Sequence, residues 1–150
     1  MPANELDQML FDSAVEVVES MFFTSLAGDA EPSAASTGPW ISARLTFHGD
    51  PSGRFGVRTP TETGRKIASS FLGLEESAVT EAQTGEVICE LANMLCGSVL
   101  SNMEKETSFE LAHPELDPPE TGSPEGYTAS RVFGLEEGPL TVWLELEQAR

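Results

Sequence analysis

The run from Val87 to Leu100 is apolar except on one side, and it constrains the fold more than any other part of the chain. It reads GEVICELANMLCGSVLSNMEK from Gly85 to Lys105. Such a run is expected to form a buried helix. Glu90 and Asn93 interrupt it three residues apart, and i and i+3 neighbours share a helix face. With Glu86 and Gly97 they follow a four, three, four spacing along one stripe. Val87, Leu91, Met94, Leu95 and Val99 supply the opposite, core-facing stripe. A carboxylate and a carboxamide therefore project together from one rigid surface. That pair can hold a charged group and orient a water. The plain alternative is a solvated stripe, since exposed Glu and Asn are common on helices. Two residue choices favour a site. Asn competes with its own backbone in mid-helix, and Gly97 costs about 1 kcal/mol relative to Ala. A glycine there lets another surface approach closely, although tight packing within the chain explains it equally well.

The 150 residues suit one domain, 1–150, long enough to bury a core without disulfides or metals. Acidic residues number 25 against 8 basic, a net charge of −17. Phosphate backbones need clustered Lys and Arg, so nucleic acid is excluded as an expected partner, and an anionic membrane surface with it. The opening MPANELDQML has neither a basic n-region nor an apolar h-region, so no signal peptide is expected. No run reaches transmembrane length. Cys89 and Cys96 on one helix would stand about 10.5 Å apart, at about 1.5 Å per residue. That is beyond disulfide reach, and they read as core residues of a reducing cytosol. No metal site is expected, because no CxxC pair or Cys/His cluster accompanies them.

Helical spacing runs from Asn4 to Leu26 through Leu6, Leu10, Ala14, Val17 and Val18, and Asp29 to Gly38 reads as a loop. Ile41, Ala43, Leu45 and Phe47 alternate with polar residues as a half-buried strand. A turn over Gly49–Gly53 leads to a shorter strand, Phe55–Arg58. Thr59, Pro60 and Glu62 match a capping box opening a helix that stops near Gly73. Thr80 and Gln83 match a second box, opening the central helix toward Lys105. Phe109–Leu111 reads as a strand, and the Pro-rich stretch Pro114–Gly126 as irregular. Tyr127–Leu135 and Leu140–Leu146 are two further strands joined by Glu136-Glu137-Gly138. The order predicts an α+β fold with a weak internal duplication.

Gly85-Glu86, followed by Glu90-Leu-Ala-Asn93-Met-Leu-Cys-Gly97, resembles the signature helix of the CheX/CheC/FliY phosphatases of bacterial chemotaxis. Their motif is Glu-x-x-Asn on a long helix, often with Gly four residues later and Pro well downstream, a position matched by Pro114 at slightly shorter distance. Glu86 stands where the CheC-type pattern has Asp or Ser. The resemblance implies a pseudo-duplicated CheC/CheX-like fold, with long helices packed on a mainly antiparallel sheet. CheC-type members carry two motif copies. Here the first helix offers Glu16-Val-Val-Glu19, with Glu in place of Asn, which implies one site per chain and a CheX-like homodimer.

The implied activity is hydrolysis of the aspartyl phosphate on a CheY-like response regulator in the cytoplasm. Asn93 would orient the attacking water, Glu90 would dock on the receiver's Lys, and Gly97 and Glu86 would belong to the docking surface. No cofactor of its own is implied, because the receiver supplies Mg²⁺. The alternative function is a non-catalytic adaptor that binds the receiver, and a third is a purely structural acidic domain. His48 and His113 are isolated in sequence and read as strand and loop histidines. No nucleophile elbow, P-loop or dinucleotide fingerprint is present.

Overall fold

A computed structural model describes residues 3–21, 26–29, 39–49, 52–103, 109–118 and 128–147. Among these residues three α-helices, α1 (Ala3–Met21), α2 (Thr61–Leu72) and α3 (Glu81–Met103), and one short 3-10 helix (Glu76–Ala78) accompany seven strands. The strands are β1 (Leu26–Asp29), β2 (Trp40–His48), β3 (Gly53–Pro60), β4 (Glu110–Leu111), β5 (Glu115–Leu116), β6 (Ala129–Leu135) and β7 (Gly138–Leu146). They form one sheet in the order β1-β6-β7-β3-β2-β4, with β5 also paired to β2. Every pairing is antiparallel. The fold is α+β, as the strand runs and separate helices predict.

Cross-strand partners point to the same side of a sheet, so the register identifies the core face. Leu45 lies opposite Phe55, and Phe55 opposite Leu144. All three are buried, in one cluster with helix residues from α1, α2 and α3. Trp143 is buried on the other face, where its indole occupies the space that a side chain at its partner Gly56 would need.

α3 lies at the centre of the helical layer, against α1, α2, β2 and β3. Its buried apolar side chains come in adjacent pairs one turn apart: Val87 and Ile88, Leu91 and Ala92, Leu95 and Cys96, Val99 and Leu100. The apolar stripe is thus wider than a single heptad seam, because both the sheet and the neighbouring helices must be met. Each fully buried aliphatic side chain contributes about 1.5–3 kcal/mol. Leu91 and Leu95 alone therefore outweigh the cost of Asn93 and Gly97 in mid-helix. The Asn102 amide donates to the Ser13 hydroxyl at 3.1 Å and ties the end of α3 to α1.

The expected start of α3 is present in full. The Gln83 backbone N–H donates to the Thr80 hydroxyl at 3.0 Å, and the Thr80 N–H donates to the Gln83 side-chain oxygen at 2.9 Å. The box expected at Thr59 is not formed. β3 continues to Pro60, and no side chain caps α2. The Thr59 hydroxyl instead donates to the Pro139 carbonyl at 2.8 Å, and the Thr61 N–H to the Pro39 carbonyl at 2.9 Å. Sheet pairing, with Trp40 opposite Pro60, has taken the residues that the capping pattern claimed. α2 does end at Gly73, whose left-handed φ of 69° suits glycine.

Four other expectations need correction. The first helix is described only to Met21, and Leu26, expected to be its last residue, opens β1, which pairs with β6. Phe55–Arg58 is the middle of a longer strand. The stretch after Pro114 is not wholly irregular, since Glu115–Leu116 pairs with β2. Asp29, expected to open a loop reaching Gly38, is instead the last residue of β1 and pairs with Phe133. The rest of that loop over 30–38, the turn residues 50–51, the helix end at Lys105, the irregular stretch over 119–126 and the strand start at Tyr127 lie outside the described residues.

Candidate functional site

β4 and β5 are two halves of one edge strand. Leu111 pairs with Phe47 and Glu115 with Arg44. Two residues of β2, Leu45 and Thr46, therefore lie opposite three residues, Ala112, His113 and Pro114. One extra residue in a strand is a β-bulge, which re-aims side chains and bends the strand. Pro114 suits such a place, because it brings no N–H to leave unpaired. Both ends of the bulge are pinned to β2. The Ala112 N–H donates to the Thr46 carbonyl at 2.8 Å, and the Asp117 N–H to the Ser42 carbonyl at 2.9 Å.

The bulge faces α3 across an open groove of about 640 Å³. One wall is the helix, with Glu86, Cys89, Glu90 and Asn93; the other is Leu111 to Pro114, with Leu116. Glu86 and Glu90 are exposed and Asn93 is half-buried, so the amide sits lower in the groove than the carboxylates. The four residues singled out in the sequence fall on one stripe of α3, and three of them line this groove. Gly97, the fourth, is not in the lining. A Cβ built at Gly97 meets nothing within 4 Å. Tight packing against the described residues is thus not the reason for that glycine, and among them open space lies above it. At Gly85 the reverse holds: a Cβ would stand 2.8 Å from a Leu116 methyl, so the glycine lets the far wall close on the helix.

An ion pair steadies that wall. Arg44 Nε lies 3.0 Å from Asp117 Oδ1, with the carboxylate largely buried and the guanidinium half exposed. Burial pushes the Asp117 carboxyl above its ordinary pKa, and the Arg44 charge pulls it partly back. Burial also raises the Cys89 thiol and pushes Cys96 up to about 12. Both cysteines are free, and both are kept as protonated thiols, poor nucleophiles and poor metal ligands. Among the described residues no group of three or more His, Cys, Asp or Glu is placed to hold a metal ion. No described helix is long and apolar enough to cross a membrane.

Sequence reasoning missed the groove's second wall. It read His113 as a loop residue and placed only Pro114 in relation to Asn93. That proline was the available signal.

This arrangement, an amide and a carboxylate on a central helix backed by an antiparallel sheet, coincides with a known family. The family model for the chemotaxis phosphatase CheX matches residues 41–134, well over half of the chain. The chain belongs to the CheX family. A search of curated proteins found no match. Among solved structures, CheX from Vibrio vulnificus superposes with a TM-score of 0.75 at 18% identity, covering 98% of this chain and 99% of that one. CheX from Desulfovibrio desulfuricans gives 0.73 at 17% identity, covering 95% and 99%. A CheX–CheY–BeF3–Mg complex from Borrelia burgdorferi gives 0.70 at 17% identity, covering 95% and 98%.

Proposed function

We propose that this protein hydrolyses the aspartyl phosphate of a CheY-like receiver domain. The observation that carries the reading is the placement of Glu90 and Asn93 on one turn of α3, open to a partner and backed by a buried helix. Family membership and the existence of a CheX–CheY complex support it.

The reaction needs little from this chain beyond geometry. Water oxygen forms a bond to phosphorus as the bond to the receiver's aspartate oxygen breaks. The carboxylate leaves with the bonding pair, and inorganic phosphate takes up the water's oxygen and both of its protons, one of which it exchanges with solvent near neutral pH. Charge on the phosphoryl group is neutralised from the receiver's side, by its own Mg²⁺ and Lys. Positioning then dominates the remaining barrier. Asn93 has both an acceptor and donors on one planar group, so it can fix the water in line with the leaving oxygen. It is not a base. Glu90 pairs with the receiver's Lys, and Glu86 extends the acidic docking surface. Gly97 leaves the approach open. A cytoplasmic homodimer belongs to the same proposal and rests on the family resemblance; sedimentation in dilute solution tests the dimer.

Release of phosphate from a ³²P-labelled receiver tests the activity. Asn93→Ala should lower the rate roughly 100-fold or more while binding persists, and Glu90→Ala should weaken binding. Unchanged hydrolysis by Asn93→Ala would falsify the water-positioning role. A wild-type protein that binds the receiver without hydrolysing it is the non-catalytic adaptor instead.

A further inference from the structure

His113 stands on the ridge of the bulge. It lines the groove beside Glu90 and Asn93, and also a second hollow of about 320 Å³ on the other side of the ridge, with Arg44, Arg54 and Glu115. Among the described residues that line the first groove, it is the one side chain, besides the amide of Asn93, that can donate a hydrogen bond from nitrogen. Glu86 and Glu90 accept only when ionised. In the second hollow the guanidiniums are engaged, Arg44 with Asp117 at 3.0 Å and Arg54 with Glu145 at 2.7 Å. His113 is exposed and makes no hydrogen bond or ion pair with another described residue. The neutral imidazole and the imidazolium both carry an N–H. The chain's net charge of −17 repels an anionic visitor as a whole, so a local donor must offset that repulsion.

We propose that His113 is a partner-binding residue, donating its N–H to an oxyanion of the docked receiver while Glu90 holds the cation. The oxyanion is either a phosphoryl oxygen or a carboxylate beside it. The proposal rests on the phosphatase reading and adds the contact on the wall opposite the motif.

The test compares His113→Ala and His113→Gln with wild type. Two readouts are taken: KM and kcat for a phosphorylated CheY-type receiver, and affinity for the Mg²⁺-bound receiver with and without beryllofluoride. His113→Ala should raise KM and weaken binding of the beryllofluoride form roughly three- to tenfold, the range of a single hydrogen bond, with kcat nearly unchanged. His113→Gln keeps an N–H donor and should recover most of the loss. A loss confined to the beryllofluoride form assigns the bond to the phosphoryl group; a loss in both forms assigns it to a carboxylate. An indifferent His113→Ala, or a His113→Gln no better than His113→Ala, overturns the role of His113 while wild-type hydrolysis stands. A wild-type protein that neither binds nor hydrolyses the receiver overturns the phosphatase reading itself.

Discussion

Leu111 and Leu116 face the same side of the sheet although five residues separate them. In a regular strand an odd separation places side chains on opposite faces. Leu111 pairs with Phe47 and Leu116 with Ala43, and both partners are buried on the helical side. The extra residue between them restores the match. Both leucines thus reach the groove, and Leu116 reaches Gly85 of α3.

Deleting Ala112 should therefore remove more than one methyl group. With two residues opposite two, the pairing with β2 runs unbroken, Leu116 keeps Ala43 as its partner and its side of the sheet, and the ridge that carries His113 is flattened. Receiver hydrolysis should fall roughly tenfold or more through misplacement of the wall. NMR contacts between Leu116 and Gly85 should persist, which separates loss of the ridge from loss of the fold. Full activity in the deletion variant rules this account out.

Gly97→Ala separates stability from function. No described residue opposes a methyl group there, and Ala is favoured over Gly in a helix interior by about 1 kcal/mol. The variant should be more stable to urea by about 0.5–1 kcal/mol yet slower on the receiver. Equal or faster hydrolysis would mean that the open space above Gly97 is not used in docking.

The two threonines that match capping boxes should respond in opposite ways. Thr80→Ala should cost about 1 kcal/mol, while Thr80→Asp, a good N-cap, should restore most of it. Thr59 is fully buried and bonded to the Pro139 carbonyl. Thr59→Asp places a carboxylate against that carbonyl and should cost several kcal/mol, whereas Thr59→Ser keeps the donor. Urea denaturation of the four variants separates a cap from a buried hydroxyl.

Cys96 makes stability fall in alkali. Its folded pKa of about 12 lies above the ordinary 9.0. The unfolded chain then loses the thiol proton first, so the contribution is complete below pH 9 and declines from there toward pH 12. The slope for this group approaches −1.4 kcal/mol per pH unit. Cys96→Ala should flatten that part of the profile in denaturation measured from pH 8 to 11. Iodoacetamide at pH 8 should label Cys89 slowly and Cys96 only on unfolding.

Sequence reasoning reached what is local and stopped at what is not. The spacing of Glu86, Glu90, Asn93 and Gly97 is a property of a single helix, and the Thr80–Gln83 box spans four residues. Thr59 has the same local pattern, but its outcome depends on Pro39, Trp40 and Pro139. β1 is four residues, Leu-Ala-Gly-Asp, with no alternation to read, and it is a strand because β6 lies beside it. The groove's second wall depends on a one-residue offset between β2 and an edge more than sixty positions later. Half of the candidate site was therefore visible in sequence, the half built on α3.

The bulge divides the site into two independently editable pieces. α3 cannot move without repacking the core, so Glu90 and Asn93 are held fixed. The ridge of Ala112, His113 and Pro114 hangs from the sheet's margin by its ends, and its middle has no packing duty to the interior. Those three positions can be rewritten or lengthened without disturbing α3. Under the proposed function, such changes would alter which receiver fits while Glu90 and Asn93 stay in place.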